Sequence, residues 1–457
     1  MKHTESLKRY NKLGEWNEYQ KIPLKEHEEW IQVYQDIEDY LPKTTAKVEH
    51  EGTIHNLEAL NGLRTSNSSY IINHGGSIWA MDFVPKKRSS RDAEYLAIGG
   101  YKATEEHYAL GEVSCYKNAI CIWKYDSDNQ PTLDMCLLGE FGIIADLKWC
   151  PLSSYGPKLG ILAVLIGDGS VYILVVPHPD QIRKQTGHPS NETLYLKIRK
   201  PRLVLKSPRA YYLCMSWSSQ LLACGSMSGS IVIWDIFRSL RHDIPIVHVQ
   251  LMMTAPIRSV SWTFLFDSLL LSTDTAGRVH LHDMRDPFMS QQVMKIKSPL
   301  IPVLGAEHLA HSFFYGDPEG NCRLNTSFCS KQSTALFSSG YGQIWSIAFC
   351  RFRELVASAS SSGIVMFRYS TDSAGQPLKH RGRADGNLLY RLCFDGDVYR
   401  YLKKTNESRD FHHVLLNPNI SLHKVVWNPN SMACGWIASG GKAGLCKLEF
   451  VPSGKKP

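Results

Sequence analysis

Hydrophobic positions along the chain recur in short runs. Six of these runs end in an aromatic, at Phe83, Trp149, Trp217, Trp262, Phe349 and Trp427. Two superimpose almost residue for residue: Ser77-Ile78-Trp79-Ala80-Met81-Asp82-Phe83 and Gln343-Ile344-Trp345-Ser346-Ile347-Ala348-Phe349. The intervals are 66, 68, 45, 87 and 78 residues. A repeat of about 40 to 45 residues fits if the longest gap holds two units and the other long gaps hold insertions. A second marker is independent of the first: an apolar run, a turn with glycine and a further β-rich run follow the aromatic. The turns are Asp168-Gly169-Ser170, Ser228-Gly229-Ser230, Ala276-Gly277-Arg278, Glu319-Gly320-Asn321, Ser362-Gly363-Ile364 and Ala443-Gly444-Leu445. Glycine supplies the positive φ that a tight hairpin needs. Gly320 accounts for the unit missing between Trp262 and Phe349, and residues 101–118 replace the turn in the first unit.

This pattern predicts an all-β chain, a seven-bladed WD40-like β-propeller over residues 69–451. A unit this short cannot bury its faces alone, and radial packing around a channel shields its edges. Ile233-Trp234-Asp235 is a complete Trp-Asp signature, whereas Ile122-Trp123-Lys124 and Leu281-His282-Asp283 are degenerate. Ser69-Tyr70-Ile71-Ile72 is predicted to add the outer strand to the last blade and close the ring. The inner strands read as apolar and small. Residues 1–68 are predicted to form a leader, partly helical over about 24–41, where Trp30, Tyr34, Ile37 and Leu41 fall at helical spacing. That stripe either packs on the ring or serves as a partner-binding helix. Insertions are expected at 101–118, 178–202 and 370–415, and a tail at 452–457.

Composition narrows the classes. The longest apolar stretch, Leu159 to Pro177, is split by Gly167-Asp168-Gly169-Ser170, so it reads as two strands and not as a membrane helix. Met1 to Glu5 leads into charged sequence with no apolar signal region, which predicts a cytosolic or nuclear protein. The 12 cysteines include no C-x-x-C pair and read as buried thiols. No catalytic motif is present, and His280-Leu281-His282, half of a metal site by spacing, is explained by a polar strand face. The expectation is a protein that is not an enzyme, with no cofactor and no metal.

Charge carries more information. The net charge is +8, and the first 70 residues hold 9 Lys/Arg against 12 Asp/Glu, so the remainder carries +11. From Arg183 to Arg209 there are eight basic residues and one acidic residue, Glu192. The candidate surface comprises Arg183, Lys184, Lys197, Arg199, Lys200 and Arg202, with smaller groups at Lys86, Lys87, Arg88 and Arg91 and at Lys379, Arg381 and Arg383. Lys/Arg in loops of a basic body is the electrostatic footprint of phosphate binding. It equally suits an acidic protein partner, and the sequence leaves both readings open. No base-reading helix or finger is visible.

The segment His74-Gly75-Gly76-Ser77-Ile78-Trp79-Ala80-Met81-Asp82-Phe83-Val84-Pro85, followed by Glu94-Tyr95-Leu96-Ala97, resembles the first blade of the WD40-type subunit of TFIIIC, the general transcription factor of RNA polymerase III. Leu422 to Pro429 and Gly435 to Leu445 resemble that family's last blade. The resemblance runs in order over about residues 70 to 450. It implies a nuclear scaffold subunit that pairs with a second propeller subunit. It also implies support for assembly on the internal B-box promoter of transfer-RNA genes, and indirect contact with TFIIIB and the polymerase. About 70 residues, acidic on balance, precede the ring where the family typically carries a long extension. Two other readings compete. Val279-His280-Leu281-His282-Asp283-Met284-Arg285 partly matches the WD-x-R box of cullin-RING substrate receptors, and a generic WD40 scaffold also fits.

Overall fold

The computed structural model describes residues 19, 21–86, 93–109, 111–125, 130–152, 156–263, 268–287, 289–306, 311–329, 333–340, 342–378, 386–403, 417–452 and 454. Among these, the helical elements are Glu26–Glu29 (α1), Pro179–Thr186 (α2), Ile236–His242 (α3) and a 3-10 turn at Pro418–Ile420, and Tyr19 and Lys21 are helical as well. The described strands group into seven sheets. Their innermost strands are Ile78–Phe83, Ile144–Trp149, Tyr212–Trp217, Ile257–Trp262, Val303–Gly305, Ile344–Cys350 and Leu422–Trp427. Each packs beside the next and the last beside the first, so the chain is an all-β propeller closed around a channel.

The two sequence markers map onto this geometry. The aromatics lie at or near the ends of the innermost strands, and Gly169, Gly229, Gly277, Gly320, Gly363 and Gly444 all adopt φ between +73° and +85°. Gly277 has a second constraint, since a Cβ there would fall 1.8 Å from the Ile296 carbonyl oxygen. Core forms between neighbouring sheets: Ile120, Ile122, Met135 and Leu137 of the first meet Leu162, Val164, Leu174 and Val176 of the second. Strand Lys158–Ile166 is buried along its whole length, which is why it reads as an unbroken apolar run without alternation.

Closure occurs where the pattern placed it. Ser69–Asn73 pairs antiparallel with Leu445–Phe450, Tyr70 opposite Leu448, so early and late segments share one sheet. The leader departs from expectation. Within 24–41 only Glu26–Glu29 is helical, with no side-chain cap at Lys25, and Trp30–Gln32 is a strand antiparallel to Leu194–Ile198. Ala46–His50 and Thr53–Leu57 extend the sheet that begins at Ile344–Cys350, and Asn61–Ser66 extends the closing sheet beyond Ser69–Asn73. The physical reason is competition: an isolated short helix is costly to nucleate, whereas exposed sheet edges offer ready-made ladder partners.

The expected stripe therefore does not exist as one face. Trp30 is buried, its Nε1 donating to the Val175 carbonyl at 3.1 Å, while Tyr34 is 68% exposed and stacks 6.3 Å from His188. Ile37 and Leu41 are half-buried beside Tyr40. The stretch 178–202 holds α2 and the strand Leu194–Ile198, which runs parallel to Thr132–Gly139. Within 370–415, Asn387–Asp395 is the fourth strand of its sheet and Val398–Leu402 the fifth.

Candidate functional site: the basic edge and the channel mouth

The predicted basic surface divides into structural and exposed members. Arg183 is buried in α2: its guanidinium meets the Asp134 carboxylate at 2.8 Å and donates to the carbonyls of Asp134, Pro189 and Glu192. Arg202 is buried as well, 2.9 Å from the Glu29 carboxylate and 3.0 Å from that of Asp243. Lys86 is half-buried on Glu94 at 2.5 Å, and Glu94 also accepts from the side-chain amides of Asn428 and Asn430. These three cations hold the fold together, which removes them from the candidate surface. Sequence could not separate Arg183 and Arg202 from the rest, because their carboxylate partners Asp134 and Glu29 lie far away along the chain.

Lys184, Lys197, Arg199 and Lys200 are exposed. Arg199 is tied to the leader, its backbone N–H on Glu29 O at 2.8 Å and its guanidinium on His27 O at 3.0 Å. Lys197 lies 5.8 Å over the Tyr40 ring. The leader thus ties down Arg199 and Lys197 through carbonyl and ring contacts, and its Glu29 carboxylate is paired with Arg202. Lys87, Arg88, Arg91, Lys379, Arg381 and Arg383 lie outside the described residues.

The inner strands read as apolar and small in the sequence, but the channel they line carries charged and large aromatic side chains. A cavity of about 690 Å³ occupies it, lined in part by Asp82, Asp146, Lys148, Arg258, Lys424, Trp79, Trp345 and His423. Six of the innermost strands carry a bulge at the same place, between Ile78 and Ala80, Ile144 and Asp146, Tyr212 and Cys214, Ile257 and Ser259, Ile344 and Ser346, and Leu422 and Lys424. A bulge re-aims one side chain. The residues it releases are Trp79, Ala145, Leu213, Arg258, Trp345 and His423, all of which line the cavity.

Trp79 stacks on His423 at 3.9 Å and meets Trp345 edge-on at 5.7 Å. Burial drives the His423 pKa down to about 4, so the ring is neutral at neutral pH and its Nδ1 donates to Ile78 O at 3.2 Å. Lys424 Nζ bonds the Asp146 carboxylate at 2.6 Å. Burial raises the Asp82 pKa against the pull of Lys148, while the carboxylates of Asp82 and Asp146 outweigh burial at Lys148 and raise its pKa.

The described residues of 101–118 lie over this mouth. Tyr101, Tyr108 and Gly111 line the cavity, with Tyr101 stacked 5.7 Å from Trp79. Ser114 N–H donates to Gly167 O at 2.8 Å, Tyr211 Oη donates to Glu112 O at 3.0 Å, and Lys442 Nζ donates to Glu106 O at 2.9 Å. The sequence held one usable signal for the channel groups: Trp79 and Trp345 occupy equal positions in the two matching repeats, and aligning Ile257–Trp262 with them adds Arg258.

His282 Nε2 bonds Ser272 Oγ at 2.8 Å and His280 Nε2 lies 3.6 Å from Asp274, inside one sheet. Among the described residues no group of three or more His, Cys, Asp or Glu is placed to hold a metal ion, and no helix is long and apolar enough to cross a membrane. Arg285 is forked onto its neighbour Asp283 at 2.9 and 3.1 Å.

No family model matches the chain. It is similar to transcription factor tau subunit sfc6 of Schizosaccharomyces pombe, 23% identical over 401 residues, which covers 84% of this chain and 65% of that protein. It is also similar to human general transcription factor 3C polypeptide 2, 20% identical over 506 residues, which covers 88% of this chain and 55% of that protein. The chain thus spans less than two thirds of either relative. Over most of its length it is homologous to proteins named as subunits of the transcription factor TFIIIC.

Proposed function

We propose that the chain is a non-catalytic propeller subunit of a TFIIIC-type complex in the nucleus. In this role it supports assembly on the B-box promoters of transfer-RNA genes through protein contacts and through backbone contacts to DNA. The observation that carries the reading is the similarity to two such subunits over 84% and 88% of the chain. The ring is read as a seven-bladed WD40-like propeller, supported by the seven sheets and the closed circuit of innermost strands. A second propeller subunit is the proposed direct partner, with TFIIIB and RNA polymerase III reached indirectly. Lys184, Lys197, Arg199 and Lys200 are proposed to face promoter DNA, a contact that positions the complex without reading sequence.

Affinity purification of the tagged chain with mass spectrometry tests this reading. Recovery of the remaining TFIIIC subunits is expected. Recovery of a cullin adaptor without polymerase III factors would overturn it.

A further inference from the structure

We propose that the channel mouth binds an acidic peptide segment of a protein partner, with an Asp or Glu side chain seated on Arg258. The reading is independent of the complex to which the chain belongs. It starts from the charges lining the cavity. Lys424 is bonded to Asp146, and Lys148 is set against Asp82 and Asp146, so two carboxylates are matched by two ammonium groups. His423 is neutral. Arg258 is left over: it forms no hydrogen bond or ion pair with any described residue, and its Nε is shut off from solvent without an acceptor.

A guanidinium does not escape this position by losing its proton. Arg258 is half-exposed and only its Nε is enclosed, so its remaining N–H groups are open to an incoming anion, best of all a carboxylate that accepts two parallel N–H bonds. The bulge between Ile257 and Ser259 turns Arg258 into the channel when an ordinary register would not. Equivalent bulges place Trp79 and Trp345 in the same tier, giving the site apolar walls. A cavity of about 690 Å³ is far larger than one carboxylate and is of the size that takes a short extended segment. Surplus positive charge, a fork for one carboxylate and flanking aromatic surface together describe an Asp or Glu next to apolar residues.

The test uses the full chain and an immobilised set of short peptides carrying a central Asp or Glu between apolar residues, each paired with its Asn or Gln counterpart. The wild-type protein is expected to bind the acidic member at least about tenfold more tightly, the loss expected when a charge-assisted pair is removed. Occupancy is also expected to change the fluorescence of Trp79 and Trp345. Arg258→Gln should erase the preference, and Arg258→Lys should keep only part of it, because the fork is gone. Equal binding of acidic and amide peptides, or a preference that survives Arg258→Gln, overturns the proposal. So does free glutarate binding as tightly as the peptides, which would make the site one for small carboxylates. Thermal unfolding supplies a second measure: Arg258→Met should melt no lower than wild type, whereas a marked fall would make Arg258 a structural cation.

Discussion

Arg202 and Lys200 are two residues apart in the same basic stretch, yet the structure gives them opposite roles. Arg202 is buried between the leader and α3, with its guanidinium on Glu29, a carboxylate only 4% exposed, and on the half-exposed Asp243. Removing one partner of a buried pair leaves the other charge uncompensated, which costs about 3 to 5 kcal/mol. The Asp243 contact adds little because solvent screens it. Arg202→Gln is therefore expected to lose roughly that much stability in urea unfolding, with hydrogen exchange rising first at Trp30–Gln32, the strand beside Glu29. Adding Glu29→Gln should restore much of the loss, since no lone carboxylate then remains. Lys184→Gln, Lys197→Gln and Lys200→Gln together should leave unfolding unchanged. They should instead lower the slope of promoter binding by the complex against log salt by about 2.7, at about 0.9 per lost phosphate contact. If Arg202→Gln unfolds like wild type and weakens DNA binding as the lysine variants do, the assignment of Arg202 to the scaffold is wrong.

The remaining predictions concern the sheets themselves. Burial pushes the pKa of both His282 and His423 down to about 4. The unfolded chain takes up these protons first as pH falls. The stability the two neutral rings provide is fully present above about pH 6.5 and is lost progressively toward pH 4, at about 3 kcal/mol each. Urea titrations at pH 7, 5.5 and 4.5 should show this slope, reduced in His282→Gln and His423→Gln; an unchanged slope in both variants would refute it. Gly396→Ala, at φ +64° with nothing within 4 Å of the new Cβ, should cost about 1 kcal/mol. Gly277→Ala adds a clash with the Ile296 carbonyl and should cost at least twice as much by the same measurement, so equal costs would mean that the turn relaxes freely.

The repeat was legible because it rests on local physics. Alternation within short runs, the aromatic at the end of an innermost strand and the glycine that admits positive φ are all set within a few residues. The strand Ser69–Asn73 could be assigned to the last sheet because a ring has to close, and topology left that edge vacant. The leader could not be read in the same way. The spacing of Trp30, Tyr34, Ile37 and Leu41 satisfies a helix, but the sheet edges that turn Trp30–Gln32 into a strand come from residues more than 150 positions away.

Charge shows the same division. The sequence by itself determined that the ring is basic, the leader acidic, and that the ring is a β framework of short repeating units. Only the tertiary structure decided which cations are buried on distant carboxylates, as Arg183 is on Asp134 and Arg202 on Glu29. Only the bulges, which shift the ladder by one residue, decided that Trp79, Arg258 and Trp345 face the channel. A period-two strand fixes the alternation of its side chains but not which face turns inward, and that choice belongs to the neighbouring strand.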